Sequence, residues 1–218
     1  MKLQFSKYHS RFLKSCAQLV QEIWPLEDDL VHASQPHHLF YYYVRNCVDN
    51  STYTDLIVDE ENDERILGIL VGDHESHRSC RSMIKNFRNC VILYKHILCS
   101  HLGKRFVALE VVDEMSTISK RIEDECEEFD SEINLLVLSK DLQGKGYGRL
   151  LMERYIEFCK NDKNIKSIFV WSDISCNYKF YEHYGFRLYK QFYDDRLTAH
   201  DDNREDKPNA FIYYKILT

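Results

Sequence analysis

The stretch Gln143-Gly144-Lys145-Gly146-Tyr147-Gly148 contains three of the seven glycines of this 218-residue chain. It lies between an apolar, strand-like segment at residues 133–138 and a helical pattern at residues 147–161. Glycine is needed where the backbone takes a positive φ or where a ligand approaches it closely. Free N–H groups and the positive end of the dipole favour anions at a helix start, so the cluster predicts a phosphate-binding loop.

Two familiar nucleotide-binding motifs do not fit this loop. A dinucleotide fingerprint, G-x-G-x-x-G, read from Gly144 would need a glycine where Arg149 stands. A Walker A loop needs serine or threonine after its Gly-Lys pair, whereas Lys145 is followed by Gly146. The pattern that remains is Gln-x-x-Gly-x-Gly, placed between a buried strand and a helix.

Hydrophobic periodicity predicts a single α/β domain over residues 1–218. Strands are predicted at residues 3–5, 53–59, 65–72, 133–138, 168–171, 186–193 and 210–216, and helices at 11–24, 36–48, 147–161 and 177–184. Residues 74–130 contain one glycine and no proline, which predicts a helical insertion between strands 3 and 4. This order favours a central mixed, twisted sheet flanked by helices. The acidic segment 194–208 is expected to be a mobile, solvated loop.

Composition and charge narrow the classes of function. Twenty-nine basic and 35 acidic residues give a net charge of −6, which argues against a nucleic-acid-binding protein. The N-terminal residues 1–16 lack the features of a signal peptide. No apolar run approaches the ~18 residues of a membrane span. A cytoplasmic protein without a membrane segment is therefore expected.

Cysteine and histidine patterns predict no metal site. The eight cysteines include no C-x-x-C pair, so we expect mostly buried free thiols. The His37-His38 pair has no companion ligands at the spacing of a zinc motif.

The glycine loop resembles the acetyl-CoA loop, Arg/Gln-x-x-Gly-x-Gly/Ala, of the GCN5-related N-acetyltransferase (GNAT) superfamily. Residues 177–186, Asn-Tyr-Lys-Phe-Tyr-Glu-His-Tyr-Gly-Phe, are similar to the family's Asn…Phe-Tyr-Glu-x-x-Gly-Phe segment. With the flanking strands, the resemblance covers about residues 132–189, and the preceding elements also fit the GNAT fold. The helical segment 74–130 departs from the family pattern, in which a short turn joins the corresponding strands. It could form an acceptor-site wall, a dimer surface or structural padding.

The resemblance implies acetyl-CoA as co-substrate, without a metal. Backbone amides of the loop would hold the pyrophosphate through Gln143, Gly144, Lys145, Gly146, Tyr147, Gly148 and Arg149. The segment Leu136, Val137 and Leu138 would pair with the pantetheine arm like another strand, mainly through the main chain of Leu136 and Leu138. Asn177 would either hydrogen-bond the cofactor or cap the following helix.

The resemblance also implies catalytic roles. Tyr181, four residues before the Gly-Phe pair, would lie near the thioester sulfur as general acid, because a phenol of pKa ~10 stays protonated at neutral pH. Its alternative role is a helix tyrosine packed in the core. Glu132 is the candidate general base, acting through a water, and Asp130 and Asp173 are rivals. Glu132 could equally be a solvated carboxylate at the end of a strand.

The sequence therefore predicts an N-acetyltransferase that moves an acetyl group from acetyl-CoA to a primary amine, by direct attack within a ternary complex. The acceptor could be a small molecule or a protein, and no nucleic-acid or membrane partner is expected. The alternative is a non-catalytic acyl-CoA-binding sensor or regulatory module of the same fold. The oligomeric state stays open, with a homodimer as one option because dimers are common in the family.

Overall fold

The computed structural model describes residues 2–24, 30, 32–74, 80–174, 176–194 and 207–217, apart from the side chains of residues 63, 64 and 80–83. Within these ranges a 3-10 turn, Ser10–Phe12, precedes the first helix. The elements are β1 (Leu3–Ser6), α1 (Leu13–Ile23), α2 (His37–Asp49), β2 (Tyr53–Asp59), β3 (Asn62–His74), α3 (Cys80–Leu98), α4 (Arg105–Glu125), β4 (Ser131–Leu138), α5 (Tyr147–Asn161), β5 (Ser167–Asp173), α6 (Lys179–His183), β6 (Arg187–Phe192) and β7 (Ala210–Ile216).

The seven strands form one sheet in the order β1-β2-β3-β4-β5-β7-β6. β4 and β5 are parallel, whereas the other neighbouring strands are antiparallel. The predicted mixed sheet flanked by helices is confirmed. Between β3 and β4 the predicted helical segment consists of two helices, α3 and α4.

Apolar side chains bury both faces of the sheet. On one face, α5 and α6 cover the sheet through a core that includes Leu151, Tyr155 and Tyr181. On the other face, α1 and α2 cover β2, β3 and β4 through residues such as Val20 and Val44. On that same face α4 covers β5, β6 and β7. The face is known from β5, where Phe169 packs with α4 while its neighbours Ile168 and Val170 point to the opposite face, into the core beneath α5 and α6. The sheet is thus the middle layer of three.

Helix α3 adds a further layer outside α2 and α4. Leu93 and Ile97 of α3 are buried with Leu39 of α2 and Ala108 of α4. The outward side of α3 keeps Phe87 72% exposed. The insertion therefore rests on the helices that cover the sheet.

Some sequence expectations meet a different outcome. β3 begins at Asn62, three residues before the predicted start, because the hairpin with β2 closes through a shifted register at Asp59.

Cys16, Cys126 and Cys159 are buried free thiols as expected, whereas Cys99 is exposed. Most of the acidic segment predicted to be mobile, residues 195–206, lies outside the described residues. None of the described helices combines the length and apolar character that crossing a membrane requires.

Candidate active site

A groove opens in the sheet between β4 and β5. The two strands pair at a single position, Glu132 opposite Phe169. β4 remains paired with β3 from Ser131 to Leu138, and β5 remains paired with β7 along its length. Beyond Glu132 the β5-facing edge of β4 is therefore open in the described structure. An open inner edge can accept an extended ligand as an additional strand.

Backbone groups of Leu136 and Leu138 face this open edge. The N–H of Ser139 donates to the carbonyl oxygen of Leu67 in β3 at 2.8 Å. Because successive strand residues direct their backbone groups to opposite sides, Leu138 and Leu136 direct theirs away from β3. Val137, in contrast, directs its backbone towards β3 and buries its side chain in the core. Of these three predicted residues, only Leu136 and Leu138 offer main-chain groups to the groove.

A β-bulge interrupts β4 beside the groove. Val71 of β3 lies opposite Leu135, but the next residue, Gly72, lies opposite Ile133. Asn134 is therefore the extra residue of the bulge, a device that releases backbone groups from the ladder and often lies next to active sites. The Asn134 Oδ1 atom is buried and has no hydrogen-bond partner among the described residues. This oxygen can accept a hydrogen bond from the N–H of a ligand.

The glycine loop follows β4 and has the conformation that its sequence predicts. Gly144 has φ 72° and Gly146 has φ 85°, a region that residues with a Cβ rarely adopt. Gly148 is needed for space, since a Cβ there would lie 3.0 Å from the Leu138 Cδ1 atom. The side-chain amide of Gln143 donates to the Leu138 carbonyl at 3.1 Å and ties the loop to the end of β4.

The loop presents donors and positive charge to solvent. The N–H groups of Gln143, Gly144 and residues 146–149 donate to no acceptor among the described residues. Several belong to the first turn of α5, where N–H groups have no partner within the helix. The side chains of Lys145 and Arg149 are exposed beside them. N–H groups, helix dipole and cations together form a site suited to a polyanion.

Tyr181 lies on α6, which packs against the start of α5. A Cβ at Gly148 would lie 3.6 Å from the Phe180 ring. Tyr181 is only 9% exposed, and its ring centroid lies 5.9 Å from that of Phe186. Burial, with a smaller contribution from Cys176, raises the pKa of the Tyr181 phenol above its ordinary value. The phenol therefore keeps its proton at neutral pH. No described residue hydrogen-bonds its hydroxyl group, so the group is available to a ligand.

Comparison with known proteins identifies this arrangement. Residues 102–200 match the model of the acetyltransferase (GNAT) domain. The resemblance to the GNAT family is thereby confirmed for this part of the chain.

Solved structures share its fold. A GNAT-family acetyltransferase from Staphylococcus aureus Mu50 is 13% identical with a TM-score of 0.54, and the match covers 100% of both chains. A protein from Pyrococcus horikoshii OT3 is 15% identical with a TM-score of 0.59, covering 100% of this chain and 99% of that one. Arylalkylamine N-acetyltransferase 2 from Aedes aegypti is 12% identical with a TM-score of 0.54, covering 100% of both chains. Comparison with curated proteins gives no match.

Glu132 lies at the closed end of the groove, where β4 and β5 pair. Its side chain is half-buried. Burial and then the negative charge of Glu132 raise the pKa of Cys126 to about 12. The same charge adds to the effect of burial on the Cys47 thiol, whose pKa also rises to about 12. The carboxylate therefore lies between α2 and the end of α4.

Tyr155 of α5 holds the backbone at this closed end. Its hydroxyl group donates to the Glu132 carbonyl oxygen at 2.9 Å and lies 2.5 Å from the Ser131 Oγ atom, which donates to the Asp73 carbonyl oxygen at 2.8 Å. Its ring occupies the space beside Gly72, where a Cβ would lie 2.3 Å from the ring. The sequence pattern alone does not single out Tyr155. A signal exists in Gly72, because a glycine inside a strand often marks such a close approach.

The rival carboxylates differ in their surroundings. The Asp130 Oδ2 atom accepts hydrogen bonds from the Lys166 N–H at 2.9 Å, from the Ser167 N–H at 3.0 Å and from the Ser167 hydroxyl at 2.9 Å. Asp130 therefore holds the start of β5 in place. Asp173 lies at the opposite end of that strand, across from Ala210.

Asn177 does not cap the helix that follows it. The residue at the N-cap of α6 is Tyr178, and no side chain caps this helix. The capping interpretation of Asn177 is therefore wrong. The Asn177 side chain is exposed beside the start of α6 and hydrogen-bonds no described residue.

His38 of the His37-His38 pair has companion imidazoles in space, although none stands at the sequence spacing of a zinc motif. The ring of His96, near the end of α3, stacks on His38 with centroids 3.4 Å apart. His101, in the turn after α3, brings its Nδ1 atom to 2.9 Å from the His96 Nδ1. These residues are distant from His38 in sequence, so no spacing of a zinc motif could reveal them.

Proposed function

We propose that this chain is an N-acetyltransferase that transfers an acetyl group from acetyl-CoA to a primary amine, by direct attack within a ternary complex. The observation that carries the proposal is the open inner edge of β4. This edge leads from the glycine loop after Leu138 to Glu132, the only described residue of β4 that pairs with β5. The match to the GNAT acetyltransferase domain supports acetyl transfer as the reaction.

The donor would lie along this edge. Its pyrophosphate would accept hydrogen bonds from the free N–H groups of Gln143, Gly144 and residues 146–149, assisted by the side chains of Lys145 and Arg149. Its pantetheine amides would pair with the backbone of Leu136 and Leu138, as a further strand would. The Asn177 side chain, which hydrogen-bonds no described residue, could bind the donor from the side of α6.

The reaction needs the ammonium to lose two protons and the departing sulfur to gain one. The attacking amine must be neutral, although a lysine-like ammonium has a pKa of ~10.4. Glu132 would accept the proton of the ammonium through a water. The amine nitrogen then bonds to the thioester carbonyl carbon, the carbon–sulfur bond breaks, and Tyr181 donates its proton to the departing sulfur. The extra proton left on the nitrogen passes through water to the Tyr181 oxygen, which restores the phenol. Burial keeps the Tyr181 phenol protonated at neutral pH, and a general acid must be protonated to donate.

The acceptor would enter at the Glu132 end of the groove. Rate would come mainly from holding the amine against the thioester, without a covalent enzyme intermediate. The buried Asn134 Oδ1 atom supports such positioning, because it can accept a hydrogen bond from an N–H of either bound substrate. The amine could belong to a small molecule or to a protein.

Donor binding is tested first, by thermal unfolding with CoA and with acetyl-CoA. A ligand present at 100 times its Kd stabilises the folded state by about 2.7 kcal/mol. We expect a clear rise in Tm with either ligand. The absence of a shift at millimolar ligand would contradict donor binding and, with it, the proposed function.

Turnover is tested separately, by following free thiol release from acetyl-CoA with a panel of primary amines. The panel includes polyamines, aminoglycosides, amino acids and lysine-containing peptides. Amine-dependent thiol release, with mass spectrometry showing the acetylated amine, supports the proposal. Tight CoA binding without turnover of any amine would instead favour a non-catalytic acyl-CoA sensor.

A further inference from the structure

Three imidazoles from separate parts of the chain meet on the outer side of α2. His38 is in the first turn of α2, His96 is near the end of α3, and His101 is in the turn between α3 and α4. One nitrogen of each ring lies within 4.8 Å of the nitrogens of the other two. We call these three residues the histidine cluster. Each side chain is half-buried, so a small ion can reach it from solvent.

The scaffold under the cluster is fixed by backbone hydrogen bonds. The N–H of His101 donates to the His96 carbonyl oxygen at 3.0 Å. The carbonyl oxygen of His101 accepts a hydrogen bond from the Gln35 N–H at 2.9 Å. Leu39 and Leu102, each adjacent in sequence to a cluster residue, are both only 1% exposed in one apolar core. The three rings are thus held together before any ligand binds.

The hydrogen bond of His38 leaves a free lone pair on its other ring nitrogen. The His38 Nε2 atom lies 2.7 Å from the Gln35 Oε1 atom, so this nitrogen carries the proton and donates it. The Nδ1 atom of His38 is then unprotonated. A metal-binding histidine commonly donates its other ring N–H to such an outer oxygen.

The pKa values of two of the cluster rings, His38 and His96, lie below that of an ordinary imidazole. Burial, followed by the neighbouring rings of His96, His37 and His101, lowers the pKa of His38 to about 4. Burial and His101 are the main causes of the lowered pKa of His96. Metal ions bind neutral imidazole, so the lowered pKa values of His38 and His96 favour metal binding by these two rings.

We propose that His38, His96 and His101 bind a divalent transition metal ion, Zn²⁺ being the representative probe. Three imidazole ligands suit zinc, copper, nickel or iron, whereas calcium and magnesium prefer oxygen ligands. Three protein ligands leave one position of a tetrahedral zinc ion for water. The ion would clamp the α3–α4 insertion onto α2.

Metal binding requires only small movements. With Zn–N distances of about 2.0–2.1 Å, tetrahedral geometry separates ligand nitrogens by about 3.3 Å. The Nδ1 atoms of His96 and His101 are already 2.9 Å apart, so they need only move slightly apart. His38, now stacked on His96, would turn so that its lone pair points at the ion. This rearrangement gives the bound state its own spectroscopic signature.

The test is titration of the chelator-treated, full-length protein with Zn²⁺ alone, followed by calorimetry. We expect one ion per chain. His101→Gln should weaken binding at least about 100-fold, and Gln35→Ala, which removes the outer acceptor, about 10-fold. His9→Gln is the matched control, since His9 lies beside Phe12 and away from the cluster, and it should bind like the wild type.

A second measurement, Co²⁺ added to the wild type, does not depend on the folding of any variant. Visible absorption typical of a tetrahedral nitrogen-ligated site is expected, and Zn²⁺ should displace it. No binding of either metal by the wild type at equimolar concentration would overturn the proposal. Zinc affinity unchanged in a folded His101→Gln protein, or a cobalt spectrum typical of thiolate ligands, would also overturn it.

Discussion

The groove beside β4 and the histidine cluster on α2 are built in different ways. The loop end of the groove uses main-chain groups of consecutive residues, from Leu136 to Arg149, and the conformation of two glycines sets its shape. The histidine cluster uses side chains from α2, α3 and the turn after α3, and helix packing sets its shape. One site depends on local backbone geometry, and the other depends on tertiary contacts.

This difference implies that the two sites can be disturbed separately. A change in the groove should alter donor binding or turnover and leave zinc affinity unchanged. A change in the cluster should alter zinc binding or stability and leave CoA binding unchanged. Variants in and beside the groove should therefore be read out by turnover, stability and CoA affinity, and the cluster by the pH dependence of unfolding.

Tyr181→Phe should lower kcat by about 10²–10⁴-fold, the usual contribution of general acid–base catalysis, because the departing sulfur loses its proton donor. CoA affinity should stay the same, since the proposed donor contacts are elsewhere. Tyr184→Phe is the matched control, as it removes a hydroxyl group three residues further along the chain. Steady-state kinetics measure kcat for both variants. Full activity of Tyr181→Phe would rule out Tyr181 as the general acid.

Gly72→Ala should destabilise the fold by about 3 kcal/mol, at the upper end of the cost of overpacking, because its Cβ would lie 2.3 Å from the fully buried Tyr155 ring. Urea unfolding measures the loss. The double variant Gly72→Ala/Tyr155→Leu should lose less than the sum of the two single changes, since the smaller side chain makes room. Additive losses would show that the two residues do not share this space.

Gly146→Ala should weaken CoA binding about 10-fold, because φ of 85° costs a residue with a Cβ roughly 1–2 kcal/mol and the loop would relax away from it. Gly185→Ala is the control, since Gly185 has φ 87° outside the loop. Both variants should lose similar stability, but only Gly146→Ala should lose CoA affinity. Equal CoA affinity in the two would contradict the loop as donor site.

Acid should lower the free energy of unfolding of the metal-free protein, because His38 of the histidine cluster takes up a proton on unfolding. Because the pKa of His38 falls from 6.5 to about 4 on folding, the unfolded chain binds more protons between these values. The free energy of unfolding should therefore decrease as the pH falls through that window, by about 1 kcal/mol, since solvent screens a half-exposed ring. Denaturant unfolding at pH 7 and pH 5 measures the decrease. His38→Gln should show a smaller decrease, and an equal one would contradict this origin.

The two sites also differ in how far sequence could predict them. The loop could be predicted because its glycines, the preceding strand and the following helix are contiguous, and each has a local physical signal. The order of the strands and helices followed from periodicity for the same reason. The histidine cluster could not be predicted, since only the packing of α3 on α2 brings His96 to His38. Tyr155 was missed because its pattern fits an ordinary core residue.

Within the groove, the side chains were harder to predict than the main chain. The bulge at Asn134 depends on how β3 and β4 register, and a near-continuous apolar run does not reveal that register. The structural role of Asp130 depends on the N–H groups of Lys166 and Ser167, on a neighbouring strand. The backbone of Val137 points towards β3 and away from the groove because successive strand residues alternate. This direction can be assigned only once β3 is known to be the partner strand.

The single pairing between β4 and β5 has a consequence for the solubility of the chain. An exposed strand edge is a template for joining another chain, and proteins usually protect such edges with charges, bulges or covering segments. Here one edge lies inside the sheet, and the run from Leu135 to Leu138 along it carries no charge. A ligand bound there would cover that edge as a further strand does. The ligand-free protein should therefore be the form more prone to self-association through strand pairing.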